Sequence, residues 1–296
     1  MPGRRSARKA SIMFEHILVA VDGSDSAISA LRQALSLARS EKSTVHVLAV
    51  VPPYEGDLRL VGVRGHVRDV MREPFEKALA EAVAVANSVG FPVKPILVEG
   101  EPPQTIVDLA DAHGADLIVA GVRGRNPAER LLLGSMVSRV IGYSRTHVMV
   151  CPRNSEIGLV KVIVAFDGSE SAMGALRLAF NFAKEYGSHL DVLSVADVPS
   201  HLYGVSPAAA SDLVEKARRT LEKAERHAAD NDVSAGFLLL EGDPSDIIID
   251  TARKKNAGLV IMGSHGRTGV RRLLMGSVTE RVIGHSPCPV IVARAY

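Results

Sequence analysis

Apolar residues gather in short unbroken runs, separated by stretches in which they recur every three or four positions. Residues 16–21, Val45 to Val51, 93–98, Leu117 to Ala120 and Thr146 to Val150 predict five strands. Between the first two, Ala27, Leu31, Ala34, Leu35 and Ala38 fall on one helical face. They predict a helix over about 25–40, capped by Ser24 or Ser26. A Gly/Pro-containing loop from 52 to about 66 leads to a second helix over about 72–88, expected to begin close to Pro74 because proline suits a first helical turn. A third helix starts at Pro102-Pro103 and stops at Gly114, and a fourth covers about 134–143. Strands that are apolar throughout fit burial on both faces. Strand–helix alternation calls for a parallel sheet with helices on both sides.

The same order then repeats. His16-Ile17-Leu18-Val19-Ala20-Val21-Asp22-Gly23-Ser24 aligns with Lys161-Val162-Ile163-Val164-Ala165-Phe166-Asp167-Gly168-Ser169. The match runs without a gap through Ala30/Ala175, Leu31/Leu176 and Ala38/Ala183 to Val47-Leu48-Ala49-Val50 against Val192-Leu193-Ser194-Val195. Glu99-Gly100 and Pro102 later match Glu241-Gly242 and Pro244, and a last strand is expected over Pro289 to Ala293. The chain reads as two copies of one α/β domain of about 140 residues. The expected division is a disordered basic tail at 1–13, a first nucleotide-binding domain at 14–152, a linker at 153–158 and a second such domain at 159–296.

Composition narrows the function classes. Charged residues are 23% and hydrophobic residues 47%, as in ordinary soluble domains. The net charge of +2 includes Arg4, Arg5, Arg8 and Lys9 of the tail; without them it is −2, which gives no nucleic-acid surface. No apolar run approaches the roughly 18 residues of a membrane span, and the tail lacks the apolar stretch of a signal peptide, so a cytoplasmic protein is expected. Met13 is an alternative start. Cys151 and Cys288 have no metal-ligand spacing and read as small apolar residues near strands.

The candidate chemistry sits after the fourth strand of each copy. Gly121-Val122-Arg123-Gly124, nine residues, then Gly134-Ser135 recurs 142 positions later as Gly263-Ser264-His265-Gly266, nine residues, then Gly276-Ser277. Glycines at a strand end let backbone approach a ligand. Gly-Ser opening a helix offers free amides and the positive dipole end to an anion, although Ser135 and Ser277 also read as plain helix caps. Arg125 and Arg267 follow the second glycine, where a solvated loop charge and a phosphate partner are both open. Asp22 and Asp167 precede Gly-Ser. The common reading of such an aspartate is a turn carboxylate. The glycine loop in the same copy favours an acceptor for a base or ribose hydroxyl. His265 is Arg123 in the first copy, so it reads as structural or phosphate-facing rather than catalytic.

The pattern G-x-x-G, nine residues, G-[ST], with aspartate after the first strand, resembles the universal stress protein family. Gly263-Ser264-His265-Gly266-Arg267-Thr268-Gly269 and Ser286-Pro287-Cys288-Pro289-Val290 are especially similar to it. The resemblance covers the chain from about residue 14 as a tandem pair. It implies two Rossmann-like, doubly wound α/β domains, each with a five-stranded parallel sheet of order 3-2-1-4-5, binding ATP with Mg²⁺ held by the phosphates. By position, it implies that Asp22 and Asp167 contact adenosine and that Val50 and Val195 meet adenine. Gly121, Gly124, Gly134 and Ser135 would hold ribose and phosphates in a first site; Gly263, Gly266, Gly276 and Ser277 would do so in a second. It further implies that the copies pair through strand five and that chains assemble into homo-oligomers. The first copy departs from the pattern at Arg123, at Asn126-Pro127 and at Arg145-Thr146-His147, so the second site is expected to bind ATP at least as tightly as the first.

Three functions fit these residues: an ATP-dependent regulatory or protective protein of the stress response, a slow ATPase or phosphotransfer enzyme, and a dimeric scaffold that binds no nucleotide. The chain has no G-x-x-x-x-G-K-[ST] lysine motif and no paired carboxylates for two metals. Efficient catalysis is therefore not expected. The intact glycines count against the scaffold.

Overall fold

The computed structural model describes residues 13–53, 64–122, 134–153, 155–266 and 275–295. The first half runs β1 (His16–Ala20), α1 (Asp25–Glu41), β2 (Thr44–Val51), α2 (Arg64–Ser88), β3 (Lys94–Glu99), α3 (Pro102–Ala112), β4 (Leu117–Gly121), α4 (Ser135–Tyr143) and β5 (His147–Cys151). The second half runs β6 (Lys161–Ala165), α5 (Glu170–Tyr186), β7 (His189–Ala196), a short α6 (Leu202–Val205), α7 (Pro207–Asp230), β8 (Ala235–Glu241), α8 (Pro244–Lys254), β9 (Leu259–Gly263), α9 (Ser277–His285) and β10 (Val290–Ala293).

The strands form one sheet in the order β3-β2-β1-β4-β5-β10-β9-β6-β7-β8. Each half is therefore a parallel 3-2-1-4-5 sheet, the doubly wound arrangement the alternation predicts. The halves meet where β5 and β10 pair antiparallel, Val148, Met149 and Val150 opposite Val292, Ile291 and Val290. One helical layer, α1, α2, α5 and α7, covers one face; α3, α4, α8 and α9 cover the other, each over its own apolar cluster. Leu18, Leu48, Ile118 and Met149 are fully buried within the sheet. Pro95 lies in β3, an edge strand, where its missing N–H interrupts no interior ladder.

Local chemistry sets the helix ends. Ser24, not Ser26, caps α1, its Oγ accepting from Ala27 N at 3.2 Å, and Ser169 caps α5 in the same way through Ala172 N at 3.2 Å. The Asp-Gly-Ser loops before them need glycine, because Gly23 and Gly168 both have φ of +80°. Helix α2 differs from the expectation: it begins at Arg64, and Pro74 lies inside it. Proline deprives a helix interior of one backbone bond but keeps a helical φ. The apolar spacing visible in the sequence, Ala78, Ala82 and Ala86, begins only after it.

The linker is held by a side chain of the first half. Gln33, buried in α1, donates from Nε2 to Ser155 O at 2.6 Å and accepts from Ile157 N at Oε1, also 2.6 Å. Phe14 packs on Phe182 with ring centroids 6.1 Å apart, and Tyr186 hydrogen-bonds Glu41, whose other carboxylate oxygen accepts from Met13 N at 2.6 Å. Cys151 and Cys288 are both buried, as expected of small apolar residues, and burial pushes the Cys288 thiol up to about 11. Among the described residues no helix is long and apolar enough to cross a membrane.

His147 lies in the seam between the halves. Its Nδ1 accepts from the backbone N–H of Arg294 at 3.1 Å, which requires the neutral ring. Burial, reinforced by the Arg294 charge and opposed by Asp116, lowers its pKa from 6.5 to about 4. A folded-state pKa below the unfolded one means stability is complete above 6.5 and is lost as pH falls towards 4. The loss amounts to about 3 kcal/mol. His147→Gln is therefore expected to flatten this limb in urea titrations of stability between pH 7 and pH 4; a difference from wild type that does not change with pH would contradict the assignment.

Candidate functional site

A cavity of about 460 Å³ opens at the carboxyl ends of β6, β7 and β9. This is where a doubly wound sheet reverses its strand order, between β6 and β9. Its size falls in the range of small-molecule sites. Seven of the eight residues expected in the second site line it: Asp167, Val195, Gly263, His265, Gly266, Gly276 and Ser277. Arg267, the eighth, lies outside the described residues, as do Gly124 and Arg125 of the first half. In the first half Asp22 follows β1, Val50 lies in β2, Gly121 ends β4, and Gly134 and Ser135 open α4.

The aspartates are first of all loop carboxylates. Asp167 Oδ1 accepts from Ser169 N at 2.9 Å and Asp22 Oδ1 from Ser24 N at 3.0 Å. Asp167 also reaches the cavity, with Gly266 against it: a Cβ on Gly266 would lie 2.9 Å from Asp167 Oδ2. The two motif elements, far apart in sequence, thus meet in one wall.

Two expectations about this loop need correction. Gly121 and Gly263 were expected to bare backbone towards a ligand, but their missing side chains face protein. A Cβ on Gly263 would stand 2.7 Å from the carbonyl carbon of Ser171 in α5, and one on Gly121 2.5 Å from that of Ser26 in α1. Glycine is needed there because the strand end and the next helix start are in backbone contact. Secondly, Ser135 and Ser277 are not the caps of α4 and α9. Gly134 and Gly276 are, and no side chain caps either helix. The spacing to these glycines also has a structural cause: Gly134 N donates to Val122 O at 3.2 Å and Gly276 N to Ser264 O at 2.9 Å, closing both loops alike.

Around the second loop the backbone is tied down. The His265 carbonyl accepts from the hydroxyls of Ser171 and, at 3.3 Å, Ser169, while its Nδ1 lies 3.1 Å from Ser264 Oγ. Thr279 Oγ1 donates to Gly263 O at 3.0 Å, fixing the start of α9 to the end of β9. Arg281 of α9 pairs with Asp243 and Asp246 at the start of α8, at 3.1 and 3.0 Å. The N-terminal ends of α5, α8 and α9 all lie at the cavity edge, where their dipoles favour negative charge.

Sequence reasoning missed one whole wall. Leu213, Lys216 and Ala217 of α7 line the cavity, with Ser194 and Ile248. The i, i+3, i+4 spacing of the α7 residues was the available signal, because a lysine on that stripe departs from an apolar face. Among the described residues no group of three His, Cys, Asp or Glu side chains is arranged to hold a metal ion.

Fold and cleft together define a tandem doubly wound α/β protein with a cavity at a strand switch point. The sequence profile of the Universal stress protein family matches residues 13–152 and 159–294, and the chain belongs to that family. Universal stress protein MJ0531 of Methanocaldococcus jannaschii is 35% identical over 147 residues, 48% of this chain and 86% of its own length. A universal stress protein of Mycolicibacterium smegmatis is 27% identical over 290 residues, 94% of this chain and 96% of its own. The crystal structure of a universal stress protein from Archaeoglobus fulgidus has a TM-score of 0.71 at 23% identity, covering 95% of this chain and 96% of that one, and so shares the fold.

The close contacts give opposite expectations for two glycines of one motif. Gly263→Ala is expected to cost about 1–3 kcal/mol by overpacking against Ser171. At Gly276 a Cβ would meet His265 Cα at an ordinary 3.4 Å, and alanine should cost less than about 1 kcal/mol, the loss of a favourable cap. Urea denaturation of both variants measures this; equal losses would refute the contact argument.

Proposed function

We propose that the second-half cleft binds an adenine nucleotide, with ATP and phosphate-held Mg²⁺ as its principal ligand, and that the chain acts as a nucleotide-dependent regulatory or protective protein in the stress response. The observation that carries this reading is the meeting of Asp167, Gly266 and the α9 start in one cavity at the strand switch point. A carboxylate at one side accepts from ribose or base donors. Val195, Met262 and Ile248 give an apolar wall for a base. The start of α9, capped by glycine without a side-chain bond, presents amides and a positive dipole end to phosphates.

This arrangement supports binding better than turnover. Asp167 is committed to its own loop through Oδ1, and the His265 backbone is anchored by two serines. Neither arrangement resembles a general base aimed at an attacking water.

Binding to the full chain is tested by isothermal titration with ATP and MgCl₂, together with analysis of nucleotide released on acid denaturation. Retained ATP and saturable binding are expected. Asp167→Asn should weaken binding about ten- to hundredfold, the cost of a charge-assisted hydrogen bond. Gly263→Ala is unsuitable for this purpose, because its collision with Ser171 disturbs the fold directly. Absence of nucleotide both in the released material and in titration would overturn the reading, and rapid release of ADP would replace it with an enzymatic one.

A further inference from the structure

The two clefts differ outside their glycine loops. Along the helix that walls the cavity the halves align through shared buried positions, Ala82 with Ala224 and Ala86 with Ala228. Ala217 of α7 therefore corresponds to Phe75 of α2, and Lys216 to Pro74. Ala217 lines the second cavity, whereas Phe75 is half-buried and packed against the apolar cluster on that face of the sheet. A benzyl side chain thus stands at the aligned position where the second half has the cavity-lining alanine.

The polar lining changes with it. Buried Ser194 has Ala49 as its counterpart, exposed Asp197 has Pro52, and Thr279, which fixes α9 to β9, has buried Val137. With Lys216 and Pro74, four cavity-facing positions lose every side-chain donor and acceptor. Two loop bonds are shared: Asp22 and Asp167 accept from the same serine amides, and Gly134 and Gly276 close the loops with the same backbone bond. Among the described residues, the first half keeps Asp22, Val50, Gly134 and Ser135 and lacks these four polar side chains.

We infer that each chain holds a single nucleotide, in the second-half cleft, and that Lys216 contacts it there. The inference rests on the nucleotide reading above and adds to it a stoichiometry and a residue. The Lys216 ammonium, on the wall formed with Leu213 and Ala217, donates to an acceptor atom of the ligand. In the first half, proline at this position offers no donor, and the adjoining phenylalanine takes the space.

Equilibrium dialysis of the full chain against labelled ATP with MgCl₂ tests this. Binding is expected to saturate at one equivalent per chain. Lys216→Met, a surface change, should weaken it about tenfold or more, and Ala217→Phe should abolish it while circular dichroism and the melting transition report an intact fold. Phe75→Ala should leave the stoichiometry at one, because the first cleft still lacks its polar lining. Two equivalents per chain, one equivalent that survives Ala217→Phe, or a Lys216→Met variant that titrates like wild type would overturn the inference and leave the nucleotide reading standing. No saturable ATP binding at all would overturn that reading and this inference together.

Discussion

The end of β9 lies in backbone contact with the start of α5, and the site depends on that closeness. Gly263 has room for a hydrogen and no more, because Ser171 stands where a side chain would go. The contact turns the chain sharply out of the strand, brings the His265 carbonyl under two serine hydroxyls, and sets Gly266 beside Asp167. A strand end and a helix start more than ninety residues apart thereby become one rigid corner. The first half repeats the corner between Gly121 and Ser26. It is a packing constraint before it is a binding feature.

This changes how the glycine motif is understood. Its spacing, its repetition and its place after the fourth strand were all legible in the sequence, and they located the cavity. The reason for each glycine was not. Gly263 and Gly121 answer to helix backbone, Gly266 to a carboxylate, and Gly276 and Gly134 to loop closure and helix capping. Those demands come from residues distant in sequence. The same limit hid the α7 wall: Lys216 has no lysine counterpart in the first half, so a search guided by the repeat passed over it. Helix α2 was foreshortened because Pro74 reads locally as a first-turn residue, whereas in the structure it stands inside a helix that begins at Arg64. The strands were read almost to the residue, since burial on both faces writes their hydrophobicity continuously.

The repeat also separates two kinds of residue that a single domain would leave mixed. Features present in both halves, such as the aspartate loop bonds and the glycine caps, shape the corner that each copy shares. Features present in one, such as Ser194, Lys216 and Thr279, mark the cleft whose cavity is lined by them. Each half is thus an internal control for the other.

The antiparallel seam of β5 and β10 has a further consequence. Two separate subunits joined through such a ladder would associate in a second-order process and fall apart on dilution. Tethered by a few residues, with Gln33 gripping the tether, the same ladder closes in first order at an effective concentration fixed by the chain. Identical partners would also have to be alike on both sides of the seam. Here the partners are unlike and always present one to one, so Ala217 in one half and Phe75 in the other are inherited as a fixed pair in every molecule.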